Sequence, residues 1–527
     1  MKALADLLDG LIFAPARTAK LALLADYFRT APDPDRGWVL AALAQELKLK
    51  TAKPALLRGL VTERVDPVLF GLSYDYVGDL AETVALIWPG AGTDLDVSVS
   101  EVVERLNAAG RAEVPGLVAA WLDALAPAER YALVKLVSGG LRVGVSACLA
   151  KTGLAQAFDL NLAEIEEIWH GLEPPYTAVF DWAEGRAEKP SLAGRPVFRP
   201  FMLAHPLEDA DPMDPAQFLV EWKWDGIRVQ LVAQAGAVRL YSRTGDDISA
   251  AFPDLVEAVD GFVGVLDGEL LVRAADGSVA PFNHLQQRLN RKTVSAALMR
   301  QHPAFLRLYD ILFDGPDDVR AWPIEVRRHR LEHAAARLNP ERFDLSALLP
   351  LSDWDSLAQA RATARAEQLE GLMLKRRGSA YVAGRQKGLW FKWKRDPLTA
   401  DLVLMYAQRG HGKRSSYYSD YTFGAWSDGH LTPVGKAYFG FTDEELRQLD
   451  RFVRTRTVNR FGPVREVEKS LVLEIAFDSL HPSPRHKSGL AMRFPRIKRI
   501  RWDKPAEEAE TLERLAVLID QPGRQTP

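Results

Sequence analysis

At 527 residues the chain is too long for a single hydrophobic core, so about two to four domains are expected. Its hydrophobic content of 47% with 26% charged residues is that of a soluble globular protein, no apolar run is long enough to span a bilayer, and the first residues carry Asp6 and Asp9, unlike a signal peptide. One cysteine, Cys148, excludes intrachain disulfides and any cysteine-rich zinc module, which makes a reducing cytoplasm the expected location.

Residues 1 to about 190 read as helical. Apolar residues recur at three- and four-residue spacing in Thr18–Phe28, Val102–Leu106 and Leu117–Leu125, separated by Pro and Gly punctuation. From Tyr131 a further helix is expected to end at Gly139-Gly140, followed by Leu141-Arg142-Val143-Gly144. Glycines let backbone amides approach a phosphate, and Arg142 could complete such a contact; a helix cap followed by a packed loop explains the same pattern equally well. Arg186 to Pro200, with three prolines, reads as a linker.

From 201 to 396 the pattern changes to α+β. Arg228–Ala233 and Ala237–Ser242 form a predicted hairpin, with further strands at Val263–Arg273, Phe305–Phe313, Gly371–Arg376 and Leu389–Lys394 and a helix at Leu357–Glu370. Beyond Asp396-Pro397 come strands at Asp401–Gln408, Tyr421–Trp426, Leu431–Tyr438 and Leu471–Asp478. A helix at Asp443–Arg454 lies among them, with Thr442 and Glu445 spaced as a capping box. This last region, 397–527, suits a small all-β Greek-key barrel of the OB type. Ala506–Pro527 reads as a short acidic helix and a loose end.

The chemistry-bearing stretch is Glu221-Trp222-Lys223-Trp224-Asp225-Gly226-Ile227-Arg228, a strand entering a turn. A lysine is a nucleophile only when deprotonated, so desolvation or nearby cations must lower the pKa of Lys223. Alone it is a surface lysine beside a turn. Downstream, however, follow Ser242-Arg243-Thr244-Gly245, Leu266-Asp267-Gly268-Glu269, Leu308-Tyr309-Asp310, Glu370-Gly371-Leu372-Met373-Leu374-Lys375 and Trp390-Phe391-Lys392-Trp393-Lys394. Glu269 and Glu370 offer hard oxygen ligands suited to Mg²⁺. Strand periodicity puts Lys392 and Lys394 on one face and Phe391 and Trp393 on the other, and two ammonium groups in a pocket neutralise phosphate oxygens. Tyr309 is a flat surface on which a purine can stack. Net charge is −3, yet Arg485 to Lys504 holds eight Lys/Arg against one acid, Asp503.

In this order the motifs resemble the covalent nucleotidyltransferase superfamily of ATP-dependent DNA ligases and mRNA-capping enzymes. Lys-x-Asp-Gly-x-Arg at 223–228 is similar to its first motif, and Arg493 to Lys504 resembles the C-terminal motif of DNA ligases. The resemblance implies a helical DNA-binding domain (1–190), an adenylyltransferase core on antiparallel, ATP-grasp-like sheet (201–396) and an OB-fold barrel (397–527). It implies that Lys223 attacks ATP to form lysyl-AMP, that AMP passes to the 5′-phosphate of a nick in duplex DNA, and that the 3′-hydroxyl displaces it. Glu221, Arg228, Arg243, Glu269, Tyr309, Met373, Lys392 and Lys394 then hold the nucleotide, with Glu269 and Glu370 on Mg²⁺. Arg493 and Arg496 close over ATP, and Arg142 and Gly144 touch DNA. Activity in DNA replication, repair or recombination as a monomer, without a membrane, is the matching expectation. An RNA ligase or capping enzyme, or an inactive nick-binding scaffold, are the alternatives. NAD-dependent ligases are disfavoured, since Cys148 alone cannot build their four-cysteine zinc site.

Overall fold

The computed structural model describes residues 1–49, 54–90, 92, 95–139, 141, 143–192, 195–207, 213–289, 291, 293–364, 369–409 and 417–519. They separate into two units, one of Met1–Leu60 with Pro89–Arg395 and one of Val61–Trp88 with Asp396–Pro527. No described helix is long and apolar enough to cross a membrane.

The first unit opens with α-helices, among them Arg17–Thr30, Asp35–Leu43, Val99–Ala108, Val114–Ala124, Pro127–Val137 and Ala147–Ala157. Of the three helical segments expected from periodicity, two fall within these, and the third, Leu117–Leu125, overruns its helix by one residue, Leu125 being the extended C-cap. Their starts are set by caps: Ser98 and Ser146 accept from the N–H groups of Glu101 and Leu149. Apolar stripes carrying Leu24, Phe28, Leu40, Leu133, Leu154 and Phe180 form the interior. The buried Arg36 is held there by Asp33 and Glu184 and lies 4.3 Å over the Phe180 ring. Gly140 and Arg142 lie outside the described residues. Gly144 is described, and Lys20 Nζ donates to its carbonyl at 3.0 Å.

The expected linker is only partly loose. Val197, Phe198 and Arg199 are buried, because the Arg199 backbone exchanges two hydrogen bonds with the Gln230 side chain (2.7 and 3.0 Å) and Tyr241 donates to Pro196 O. Composition suggested flexibility. A pair of β-type backbone bonds to a buried amide overrides it.

Two sheets follow. The first contains β1 (Phe218–Trp224), β6 (Leu369–Arg376) and β7 (Trp390–Lys394), in the order β7-β6-β1. The second contains β2 (Ile227–Gln234), β3 (Ala237–Ser242), β4 (Gly264–Val272) and β5 (Ala304–Asp314), in the order β3-β2-β4-β5. Within the first, Val220, Leu372 and Leu374 pack with Phe391 and Trp393 against Leu357, on the helix Trp354–Thr363. Within the second, Val229, Leu231, Leu266, Leu270, Leu306 and Leu308 form the main core. Each sheet thus hides one face, and alternation leaves the polar residues on the other. The predicted helix Leu357–Glu370 is corrected: the helix stops at Thr363, and Glu370 belongs to β6. The run Gly371–Lys375 alternates faces of the sheet, a period that a helix cannot use.

The second unit holds a seven-stranded antiparallel sheet centred on Leu398–Arg409. This long strand pairs with Tyr418–Ser427 along one edge; along the other it pairs with Val464–Val467 and then Val472–Phe477. Arg496–Arg501 pairs outside Val472–Phe477. No ladder closes this sheet among the described residues; one bond, from Ile497 N–H to Phe439 O at 3.1 Å, joins its far edges. The region is sheet-rich, a half-barrel. The helix Asp443–Thr455 carries the expected reciprocal cap between Thr442 and Glu445. The expected C-terminal helix is shorter than its segment, at Leu512–Val517, and residues 520–527 are outside the description.

Within the first unit, helical and sheet regions meet at His170, whose ring lies 4.7 Å from that of Phe198 and presses on Gly245. Burial pushes the imidazole down to about 4, the Lys151 ammonium adds to this and Asp246 opposes it. A histidine that titrates lower when folded leaves stability complete above about pH 6.5 and removes it as pH falls toward 4, up to roughly 3 kcal/mol. Urea unfolding between pH 7 and 4 should therefore show a steeper acid loss in the native chain than in His170→Gln.

Candidate active site

β1 ends at Trp224, and Asp225-Gly226 carries the chain out of the first sheet and into the second. The crossing is tight. A Cβ on Gly226 would lie 2.5 Å from Leu270 O and 2.8 Å from Glu269 Cγ, so only glycine lets the turn pass this close to Glu269. The Asp-Gly of the motif is thus a sheet-to-sheet switch, and it sets Lys223 at the mouth of the cleft between the two polar faces.

Register does the rest. Lys223 lies opposite Gly371, which lies opposite Lys394; one step along, Glu221, Met373 and Lys392 form a second row. Between Leu369 and Gly371 the pairing with β1 is shifted by a bulge that leaves Glu370 out of the ladder. Glu370 Oε2 accepts from Lys223 Nζ at 2.6 Å and lies 3.3 Å from Lys394 Nζ. Gly371 makes the bulge possible: its φ is +139°, and an added Cβ would overlap Trp393 O.

From the second sheet, Arg228 and Glu269 are directly opposite each other. Arg228 is clamped from all sides, forking onto Asp267 at 3.0 and 2.7 Å, donating to Met202 O at 2.7 Å and lying 4.2 Å over the Phe201 ring. Tyr381 donates to the same Asp267 at 2.8 Å. Glu221 is buried and paired with the buried Lys375 at 2.9 Å. The Lys375 ammonium also donates to Tyr309 O and sits 4.6 Å from the Tyr309 ring centroid. Arg228 and Glu221 thus have their charges met inside the protein. Asp267, Tyr381 and Lys375 carry no role in the motif reading; Asp267 and Lys375 are charged residues on strands, and Tyr381 lies in the loop between β6 and β7.

The electrostatics reverse one expectation. Burial works against the Lys223 ammonium, but the carboxylates of Glu370, Glu269 and Asp225 outweigh it and hold the amine above the ordinary lysine value. Cations do not depress it in this state. The depressed amine is Lys392, lowered by burial and then by Arg385, Lys223, Lys394 and Arg243. Arg385 was not singled out from the sequence, because it lies in a loop outside every recognisable motif. Burial pushes the Glu269 carboxyl up to about 8, with Lys223 and Arg228 opposing and Glu370 and Asp267 adding to the rise. Arg493 and Arg496 belong to the other unit, where Arg496 pairs with Asp478 at 3.1 Å and Arg493 lies 5.4 Å from the Phe494 ring.

Comparison with known proteins bears on this site. The family described as "ATP dependent DNA ligase domain" matches residues 201–394, and the "ATP dependent DNA ligase C terminal region" matches 414–504. A protein named "Probable DNA ligase" from Koribacter versatilis is 33% identical over 98% of this chain and 96% of its own length. The chain belongs to the ATP-dependent DNA ligases. "DNA ligase 1" of Korarchaeum cryptofilum is 32% identical, covering 81% of this chain and 80% of its own. A solved structure described as "Pmar-Lig_Pre." shares the fold, with a TM-score of 0.62 at 17% identity over 95% of this chain and 99% of that one. The protein is therefore an enzyme that forms phosphodiester bonds, built as a helical N-terminal region, an adenylation core and a sheet-rich C-terminal region.

The buried Glu221–Lys375 pair gives this ligase a stability test. Lys375→Met strands a carboxylate in the interior and is expected to cost about 3–5 kcal/mol, whereas Lys375→Met with Glu221→Leu recovers most of it. Urea denaturation of the three chains checks the sign and the recovery.

Proposed function

We propose that Lys223 is the nucleophile of an adenylation half-reaction and that the sealed substrate is a nick in duplex DNA. The observation that carries this reading is the Lys223–Glu370 contact of 2.6 Å in a cleft that also gathers Lys392 and Lys394. Lys223 Nζ, once deprotonated, attacks the α-phosphorus of ATP; a P–N bond forms and the bond to the bridging oxygen breaks, releasing pyrophosphate. AMP then passes from Nζ to the 5′-phosphate of the nick. The 3′-hydroxyl attacks that phosphorus, closes the strand and expels AMP.

The remaining residues take roles by position. Lys392 and Lys394, with Arg243 and Arg385, grip phosphate oxygens; the lowered Lys392 amine marks a crowd of cations that an anion relieves. Tyr309 and Met373 enclose the adenine, with Lys375 fixing the tyrosine ring from beneath. Glu269 and Glu370 are two hard carboxylates near one lysine, and Glu269 is raised first by its burial, with the Glu370 and Asp267 carboxylates adding to the rise. That donor set of two hard carboxylates fits Mg²⁺. When bound, the ion shields triphosphate charge and polarises the phosphorus. Arg228 and Glu221 act by positioning, Arg228 through Asp267 and Glu221 through Lys375.

On this reading residues 1–190 bind DNA, with Arg142 and Gly144 at phosphates. Residues 397–527 complete an OB-type barrel whose Arg493 and Arg496 close over ATP before the first step. A turn about Asp396-Pro397 then exchanges them for DNA. A cytoplasmic monomer suffices for this cycle.

Incubation with α-labelled ATP should label Lys223 alone, as located by mass spectrometry, and nicked duplex should discharge the label; Lys223→Ala should neither take label nor seal. A label at another residue, or one from GTP but not ATP, overturns the proposal. Arg385→Ala is expected to raise the KM for ATP about tenfold while leaving folding intact, the loss of one charge-assisted contact. Binding of nicked DNA should fall steeply with added salt, since neutralised phosphates release counterions.

A further inference from the structure

The helix Ile324–Ala335 turns Leu331 and Ala334 into the main core, against the sheet face opposite the cleft. His329 and His333, one turn apart, lie on its exposed side. Their Nε2 atoms stand 3.1 Å apart, with ring centroids at 4.5 Å and ring planes at 88°. They face an open cavity of about 870 Å³, lined also by Gly261, Gly315, Asp314, Arg330 and Arg337.

We propose that His329 and His333 chelate one late divalent transition ion, Cu²⁺, Ni²⁺ or Zn²⁺, at a site separate from the adenylation cleft. Two imidazole nitrogens bound at about 2.0–2.1 Å to one ion lie roughly 2.8–3.4 Å apart for bond angles between square-planar and tetrahedral. The Nε2 separation of 3.1 Å falls within that bite. As a hydrogen bond alone, the contact uses one N–H and one lone pair in full view of water, which contributes little. Imidazole nitrogen selects late transition ions and rejects Mg²⁺, so the site does not compete for the ion of the cleft.

The surroundings set how tightly the ion is held. Asp314 pairs with Arg330 at 3.1 Å and lies 3.9 Å from Arg337, so a carboxylate lining the same cavity offsets both guanidinium charges. Among the described residues no third His, Cys, Asp or Glu completes a metal cluster. The remaining coordination positions therefore belong to water, which makes this an exchangeable site and not a closed structural one. Affinity should follow the order Cu²⁺ above Ni²⁺ and Zn²⁺. Because the chelate bridges one helical turn, bound metal stabilises the folded chain by mass action.

The test uses the untagged full-length chain with Ni²⁺, followed by calorimetry and by thermal unfolding in the absence of nucleotide. One equivalent should bind, Tm should rise with Ni²⁺ concentration, and Mg²⁺ at the same concentrations should not reproduce the rise. His329→Ala and His333→Ala, both solvent-facing and compatible with folding, should each weaken binding by more than the roughly tenfold that loss of an outer partner causes. Equal Ni²⁺ binding by the wild type and either variant would place the ion elsewhere and overturn the proposal. So would no binding at all, or protection by inorganic phosphate with none by Ni²⁺, which would make the cavity an anion site.

Discussion

A single carboxylate shared by two lysines organises the cleft. Glu370 reaches Lys223 and Lys394 together only because a bulge drops it out of the ladder between β1 and β6. A regular strand would have paired residue 370 and turned its side chain to the face that packs on Leu357. The bulge in turn needs Gly371, since any side chain there would meet the backbone of Trp393. One backbone irregularity therefore converts two parallel rows of side chains into a site with a charge at its centre.

The same dependence on register runs through the whole first sheet. Lysines on two strands face one way because Lys223, Gly371 and Lys394 are aligned across it, with Glu221, Met373 and Lys392 beside them. A slip of one residue in β7 would send Lys392 and Lys394 into the apolar layer and bring Phe391 and Trp393 into the cleft. The cost of burying two ammonium groups in place of two aromatic rings forbids that slip. The aromatic residues between the lysines thus protect the alignment of the site from the far side of the sheet.

What was legible in the sequence followed from periodicity and local chemistry. The Phe391/Trp393 against Lys392/Lys394 alternation, the Thr442–Glu445 cap and the helices near the N-terminus were all readable, because each is decided within a few residues. Glu370 was misread as the end of a helix, since Leu357 to Thr363 is helical and nothing local announces where a strand takes over. The linker was misread because the bonds that dock Arg199 come from Gln230, thirty-one residues away. Asp267, Tyr381 and Lys375 were silent for the same reason: each matters through a partner distant along the chain, and such pairing has no local signature.

The sign of the perturbation at Lys223 is the clearest product of three dimensions. Spacing alone placed Lys392 and Lys394 near this amine and suggested that cations would depress it. The fold sets Glu370 at 2.6 Å and adds the fields of Glu269 and Asp225, and the net effect keeps the amine protonated. Both signs of charge are perturbed: Lys392 is lowered by burial and its fellow cations, while Glu269 is raised by burial and its fellow acids. A phosphate on the lysine side and a divalent ion on the carboxylate side would relieve both, and would withdraw from Lys223 the carboxylate that holds its proton. On the proposed mechanism the resting enzyme thus stores its nucleophile as an ion pair, and the charges that arrive with the nucleotide are the ones that release it.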